Sequence, residues 1–233
     1  MQRELASIGV RGPISLGQVG WNFVKTVWDP TRSDIAHGIT GLAKGALGAM
    51  SPARLRAFEE RNAAVTALYR EGYDPPLDTE RLARLPGGTL GREYARFIQA
   101  HGLDPLATLL AIGTPTNAFH YNLRRAYKLH DILHVVLGCD PSVLGEVRIV
   151  SWSIGQALHA GGPAMRAPAM ALSVLLLHLA IRRPDEVAEL VQLSHPWLER
   201  GASSPNHVAF RFEDHFESKV EDVRALFEAS AAA

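Results

Sequence analysis

Two apolar stripes separated by one hard stop constrain this chain more than anything else in it. Residues 119–137 place Phe119, Leu123, Ala126, Leu129, Leu133 and Leu137 at a period of about 3.6 residues, the mark of a helix. Gly138 follows, a residue suited to the left-handed position just past a helix end. Cys139-Asp140-Pro141-Ser142 then reads as a turn, because Pro141 has no N–H with which to continue a helix. Val147, Val150, Ile154 and Leu158 form a second stripe, so a new helix starts near Val143. Two helices joined by so short a connection fold back on each other as a hairpin.

That hairpin carries a set of metal-ligating side chains. His130 and His134 lie one turn apart on one helical face, so their ring nitrogens can converge. Glu146 falls in the first turns of the second helix and can fold back beside them, while Asp131 precedes His134 by three residues. The arrangement is similar to the H-E-x-x-H of zinc proteases, where the glutamate is the general base; here Asp131 takes that place, and its shorter side chain argues against a protease. Imidazole and carboxylate together suit zinc, iron, cobalt or manganese, and the sequence does not choose among them. Two histidines, one or two carboxylates and an open position describe a catalytic centre better than a closed structural one. The plainer alternative is a pair of ordinary histidines, because a lone His-x-x-x-His on a helix is common.

The remainder reads as an all-α, single-domain helical bundle. Ser51-Pro52 is a cap followed by a helix-starting proline, with Leu55, Phe58, Val65 and Leu68 at helical spacing behind it. Thr89 caps a helix carrying Tyr94, Phe97 and Ile98 that ends at Gly102, and Thr116 or Asn117 starts the histidine helix. Gly161-Gly162-Pro163 breaks the helix after it. A last helix is expected from about Asn206, with Phe212, Phe216, Val220, Val223 and Phe227 on one face. His195 before Pro196 reads as a loop or cap residue, and Glu213, Asp214 and His215 as a surface or structural polar knot. Alternating strand patterns and hairpin turn pairs are absent from the sequence.

Length and composition bound the function. At 233 residues with 47% hydrophobic content the chain can bury a large core. Residues 1–27 read as an N-terminal segment, 28–228 as the helical domain and 229–233 as a frayed tail. Twenty-four basic residues balance twenty-four acidic ones, so bulk attraction to nucleic acid is not expected. One cysteine, Cys139, rules out an internal disulfide. With no signal core near Met1, the expected location is cytoplasmic, with peripheral contact on the inner membrane. Residues 167–181 are the longest apolar stretch, short of the roughly 20 residues a spanning helix needs. They read as a buried helix or as the wall of a lipid pocket. Residues 34–50 interleave Ala36, Gly38, Gly41, Ala43, Gly45, Ala46, Gly48 and Ala49 with Ile35, Ile39, Leu42 and Leu47, a composition for close packing on the body or against a second subunit, or for a membrane surface. A homodimer is the expected assembly.

At the histidine hairpin the chain resembles the coenzyme Q (ubiquinone) biosynthesis protein 4 family. The family pattern H-D-x-x-H-x(11)-E is met by His130, Asp131, His134 and Glu146 without a gap. A second block, Leu85-Pro86-Gly87-Gly88-Thr89-Leu90-Gly91-Arg92-Glu93-Tyr94-Ala95-Arg96-Phe97, is similar to L-P-x-G-T-x-G-R-E-Y-x-x-F, and Leu144, Gly145 and Gln156 also fit. The resemblance covers residues 28 to 227. It implies an all-helical fold, a divalent metal on His130, Asp131, His134 and Glu146, and action on a prenylated aromatic acid in quinone biosynthesis. The implied reaction is oxidative decarboxylation, with a ring carboxyl replaced by a hydroxyl, alongside other quinone-biosynthesis proteins. Substrate contacts are expected from Arg92, Tyr94, Arg125, Tyr127, Lys128 and Gln156; a guanidinium pairs well with a carboxylate. For Arg124, a solvated basic face is at least as good a reading. Met170, Leu175, Leu179, Tyr94 and Phe97 are expected to wall an apolar channel beside the metal. The chain departs from the family at Tyr127 and Lys128, where an Arg-Glu pair is expected, and at Ser153, where a second glutamate is expected. These departures keep two alternatives open: an enzyme tailoring another aromatic or polycyclic substrate in secondary metabolism, and a non-catalytic lipid-binding scaffold. A phosphohydrolase built on the His-Asp doublet is more distant, because further separated ligands cannot be assigned.

Overall fold

The structure is a computed structural model, and it describes residues 51–105, 109, 113–160, 173 and 176–230, the side chains of 158–160 excepted. The small-residue stretch 34–50, the Gly161-Gly162-Pro163 break, Met170, Leu175 and the last residues of the tail lie outside that set. The fold is a single all-α domain, with no β-strand among the described residues. In chain order the helices are α1 (Pro52–Arg61), α2 (Ala63–Glu71), α3 (Thr79–Leu82), α4 (Leu90–His101), α5 (Ala118–Leu137), α6 (Val143–Ala160), α7 (Val187–Ser203) and α8 (Val220–Ala229). Residues 176–182 are also helical, and short 3-10 turns cover Pro184–Glu186 and Phe212–His215.

Helix α5 is the hub. It touches α1, α2, α4, α6 and α8. Its buried residues run beyond the expected single stripe to Tyr121, Arg125, Lys128, Ile132 and Val136, as suits a helix surrounded by others. The main core gathers Leu90, Tyr94 and Ile98 of α4, Leu129, Ile132, Leu133 and Val136 of α5, Ile149 and Trp152 of α6, and Phe212, Phe216, Val223 and Phe227.

Local chemistry sets most helix ends. Ser51 accepts the Arg54 N–H, Thr89 that of Arg92 and Asn117 that of His120, each capping its helix start. The stretch from Ser51 to Leu68 is two helices rather than one. It breaks at Asn62, whose side chain donates 3.0 Å to the Phe58 carbonyl and so competes with the backbone ladder.

Two other expectations need correction. His195-Pro196 lies inside α7, not in a loop; His195 is exposed and stands 3.6 Å from Glu199. The last helix starts at Val220, not near Asn206. Residues 216–220 instead bond to the start of α4: Leu90 N–H donates to Ser218 O, Gly91 N–H to Phe216 O and Val220 N–H to Gly88 O. Those long-range bonds take the backbone groups that a continuing helix would have used.

Helices α6 and α7 cross in backbone contact at Gly155 and Gly201. A Cβ on Gly201 would meet the Trp152 carbonyl, and one on Gly155 the Leu198 carbonyl. Gly201→Ala is therefore expected to force the helices apart and destabilise by about 1–3 kcal/mol, as overpacking does. Chemical denaturation measures it; an unchanged midpoint would rule out so close a crossing.

Candidate metal centre

The stop between the stripes builds the centre. Asn117 opens α5 and Gly138 closes it with a left-handed φ of 70°. Asp140 then accepts from Ser142 N–H at 2.9 Å, and Ser142 Oγ from Gly145 N–H at 3.1 Å, turning the chain into α6. Glu146 is thereby held in the first turn of α6, opposite the two histidines. His130 Nε2 and His134 Nε2 are 3.3 Å apart, His134 Nε2 is 3.1 Å from one Glu146 oxygen, and His130 Nε2 is 3.4 Å from the other. A zinc ion at its usual ligand distances holds neighbouring donors about 3.3 Å apart, and these separations are of that size, with each imidazole nitrogen facing its own Glu146 oxygen.

Each ligand has its own support. The His134 side chain is 1% exposed, and its Nδ1 lies 3.2 Å from the Cys139 carbonyl. A carbonyl only accepts, so Nδ1 carries the hydrogen and the Nε2 lone pair is left facing the cluster. Phe97 of α4 stacks on the same ring, centroids 5.2 Å apart and 24° between planes. His130 and Glu146 keep side-chain exposures of 36% and 30%, so the open side of the centre is theirs. Burial alone would lower the His130 pKa; the Glu146 carboxylate outweighs it and raises it to about 9. Burial would raise Glu146, but His130 and His134 hold it well below the ordinary carboxylate range. Two ring nitrogens facing one carboxylate thus call for a cation between them, a proton or a metal.

Residues 73–232 match the family described as coenzyme Q (ubiquinone) biosynthesis protein Coq4. The chain belongs to that family. The ubiquinone biosynthesis protein COQ4 homolog, mitochondrial, of Xenopus laevis is 27% identical over 210 residues, which cover 86% of this chain and 68% of the relative. The Rattus norvegicus homolog of the same name is 30% identical over 149 residues, 64% of this chain and 53% of the relative. The match thus spans about half the length of the rat relative. The crystal structure of a protein from Nostoc punctiforme PCC 73102, named for ubiquinone biosynthesis, aligns with a TM-score of 0.64 at 20% identity, over 93% of this chain and 99% of that one. At that identity the likeness bears on the fold alone.

The family's two motif blocks meet in space, since α4 packs on α5. Within the histidine block the structure gathers His130, His134 and Glu146, and Asp131 is not one of the three. One residue is a 100° turn of the helix, which swings Asp131 off the histidine face. Its carboxylate is still felt by His130 and by Tyr94 of α4, and burial raises its own pKa.

The expected substrate contacts divide. Tyr94 is fully buried, its ring stacked on Phe216 at 6.3 Å. Arg92 is exposed and Tyr127 half-buried. Arg125 and Lys128, expected to meet a substrate anion, already have anions from this chain. Arg125 grips Glu213 with two bonds of 2.8 and 3.0 Å, and Lys128 lies 3.2 Å from Glu213 and 2.7 Å from Asp74. Gln156 is likewise occupied: it donates to the Gly201 and Ser204 carbonyls and accepts from His207 N–H. These three side chains tie distant segments together. Of the two sequence readings of Glu213, surface or structural pairing, the structure bears out the second: it is buried and paired with Arg125 and Lys128. The orienting role of the Cys139 carbonyl has no sequence signal beyond the Gly138 stop, because any residue supplies a carbonyl.

Proposed function

We propose that His130, His134 and Glu146 hold a divalent metal ion, with the Asp131 carboxylate adjacent, and that the centre serves the oxidative decarboxylation of a prenylated aromatic acid in quinone biosynthesis. The observation that carries the metal reading is the convergence of two imidazole nitrogens, 3.3 Å apart, on the two oxygens of one carboxylate at 3.1 and 3.4 Å. Membership of the Coq4 family supports the substrate class. Zinc, iron, cobalt and manganese all suit these ligands. A bound ion supplies a Lewis acid that polarises a carboxylate oxygen. The chain's own part is to bind and orient: the Cys139 carbonyl fixes the His134 ring, Phe97 covers its face, and His130 and Glu146 leave the open side where an acid would enter. Leu179 is buried against Val147, Val150 and Leu190 on α6 and α7. The lipid tail would bring the protein into peripheral contact with a membrane and with other quinone-biosynthesis proteins, as a homodimer. No described helix is long and apolar enough to cross a membrane.

Metal analysis of the purified protein, combined with mass spectrometry of a prenylated hydroxybenzoate after incubation with it, dioxygen and a two-electron reductant, tests the reading. The expected result is one equivalent of metal and a product whose ring has lost the carboxyl as carbon dioxide and gained a hydroxyl from dioxygen, the second oxygen atom leaving as water with the reductant's two electrons. In Glu146→Gln, metal affinity should fall by more than the roughly 10–100-fold that loss of a merely orienting group costs. Turnover should fall with it. Metal bound with no product from any aromatic acid would favour the scaffold instead.

A further inference from the structure

One buried polar atom beside the centre has no partner. Tyr94 is 0% exposed, and its hydroxyl makes no hydrogen bond. Buried hydroxyls are nearly always paired, and an orphan of this kind calls for an explanation. The ring itself is well used, stacked on the buried Phe216 with 19° between planes. A phenylalanine would serve that packing equally well, so packing does not explain the oxygen.

The register of α4 on α5 says where that oxygen lies. Phe97 stacks on His134, and Tyr94, one turn earlier, is within electrostatic reach of Asp131, one turn before His134. Tyr94 and Phe97 therefore run alongside Asp131 and His134 in step. Burial, then the Asp131 carboxylate, raises the Tyr94 pKa, so the hydroxyl keeps its proton and can act as a donor. Asp131 and Phe97 are only half-buried.

We propose that Tyr94 is a ligand-binding residue of the metal centre, its hydroxyl donating a hydrogen bond to an oxygen of an aromatic carboxylic acid held beside His130, His134 and Glu146. This rests on the metal reading above and adds the residue that recognises the acid. It also accounts for the orphan: the missing partner is the ligand. An unpaired donor in the free protein, satisfied only in the complex, contributes to affinity and to selectivity for an acid.

The test loads wild type and Tyr94→Phe with cobalt(II) and titrates each with 4-hydroxybenzoate, reading the visible cobalt bands and Kd. Three results are expected together. Cobalt affinity matches within about twofold; Tm of the metal-free variant does not fall; and the acid binds about tenfold more weakly, ~1.4 kcal/mol. Equal acid affinity in the two proteins would overturn the proposal, as would failure of the cobalt-loaded wild type to bind the acid at all. A Tm drop of several degrees would show that the hydroxyl has a partner in the fold. Weaker cobalt binding in the variant would make Tyr94 a support for Asp131 rather than a ligand contact. Each of these leaves the metal reading standing. Failure of wild type to take up cobalt would instead sink the metal reading, and this inference with it.

Discussion

Glu213→Ala is expected to destabilise the fold by about 3–5 kcal/mol, the cost of leaving a buried charge without its partner. That is a large share of the roughly 5–15 kcal/mol that holds an ordinary domain together. The reason is geometric. The side chains of Arg125, Lys128 and Glu213 are exposed by only 2%, 2% and 1%. Glu213 takes two bonds from Arg125 and stands 3.2 Å from Lys128. Lys128 keeps Asp74, but Arg125 would keep the Val208 and Phe210 carbonyls and the face of the Tyr73 ring, none of which carries a charge. Replacing both members with apolar residues, Arg125→Met with Glu213→Leu, should recover much of the loss, because no unpaired charge remains. Urea unfolding of the two single variants and the double variant measures the coupling. A Glu213→Ala midpoint equal to wild type would mean that the pair does not exist in solution.

The same pair sets an acid limit. Burial alone would raise the Glu213 pKa, but the Arg125 bonds and charge, with Lys128, hold it below the ordinary value of 4.5. A carboxyl depressed in the folded state stabilises at pH above its unfolded value, and that stability is lost as pH falls through the folded value. Stability should therefore begin to drop below about pH 4.5, and the drop should be shallower in the Arg125→Met, Glu213→Leu protein. Parallel acid titrations of the two by circular dichroism would decide it; identical profiles would place the acid response elsewhere.

His134→Ala should abolish stoichiometric metal binding and turnover while leaving the helical fold in place. His134 is the ligand with the least freedom, stacked on Phe97 and bonded to the Cys139 carbonyl. Its loss removes a direct donor and leaves Glu146 with His130 as its imidazole contact on α5. The fold does not depend on the ion as a zinc finger does, because Leu129, Ile132, Leu133 and Val136 pack α5 into the main core without it. The expected picture is unchanged far-ultraviolet dichroism, a modest fall in Tm and no bound metal. A variant that lost the metal but kept full activity on a prenylated aromatic acid would end the catalytic reading of the centre and favour a scaffold.

The sequence alone determined the parts of this protein that depend on neighbours along the chain. The caps at Ser51, Thr89 and Asn117, the stops at Gly102 and Gly138, and the start of α6 at Val143 are local chemistry. So is the meeting of His130, His134 and Glu146, because a helical period and a short turn fix their relative positions. Partners that lie far away in sequence were decided by the tertiary structure. Nothing local tells Arg125 and Lys128 that Glu213 and Asp74 will neutralise them, so a basic cluster beside the histidines looked like an anion site. An unbroken run of helical spacing from Asn206 onward hid the break before Val220, because the bonds that make it come from residues 88–91. Asp131 lies between the histidines in sequence but leaves their face by a single 100° step, which mattered only once α4 had packed beside it with Tyr94. Local steric and capping rules act over one or two turns and are written in the sequence; buried charge pairing and helix register depend on which surfaces meet, and only the folded chain settles that.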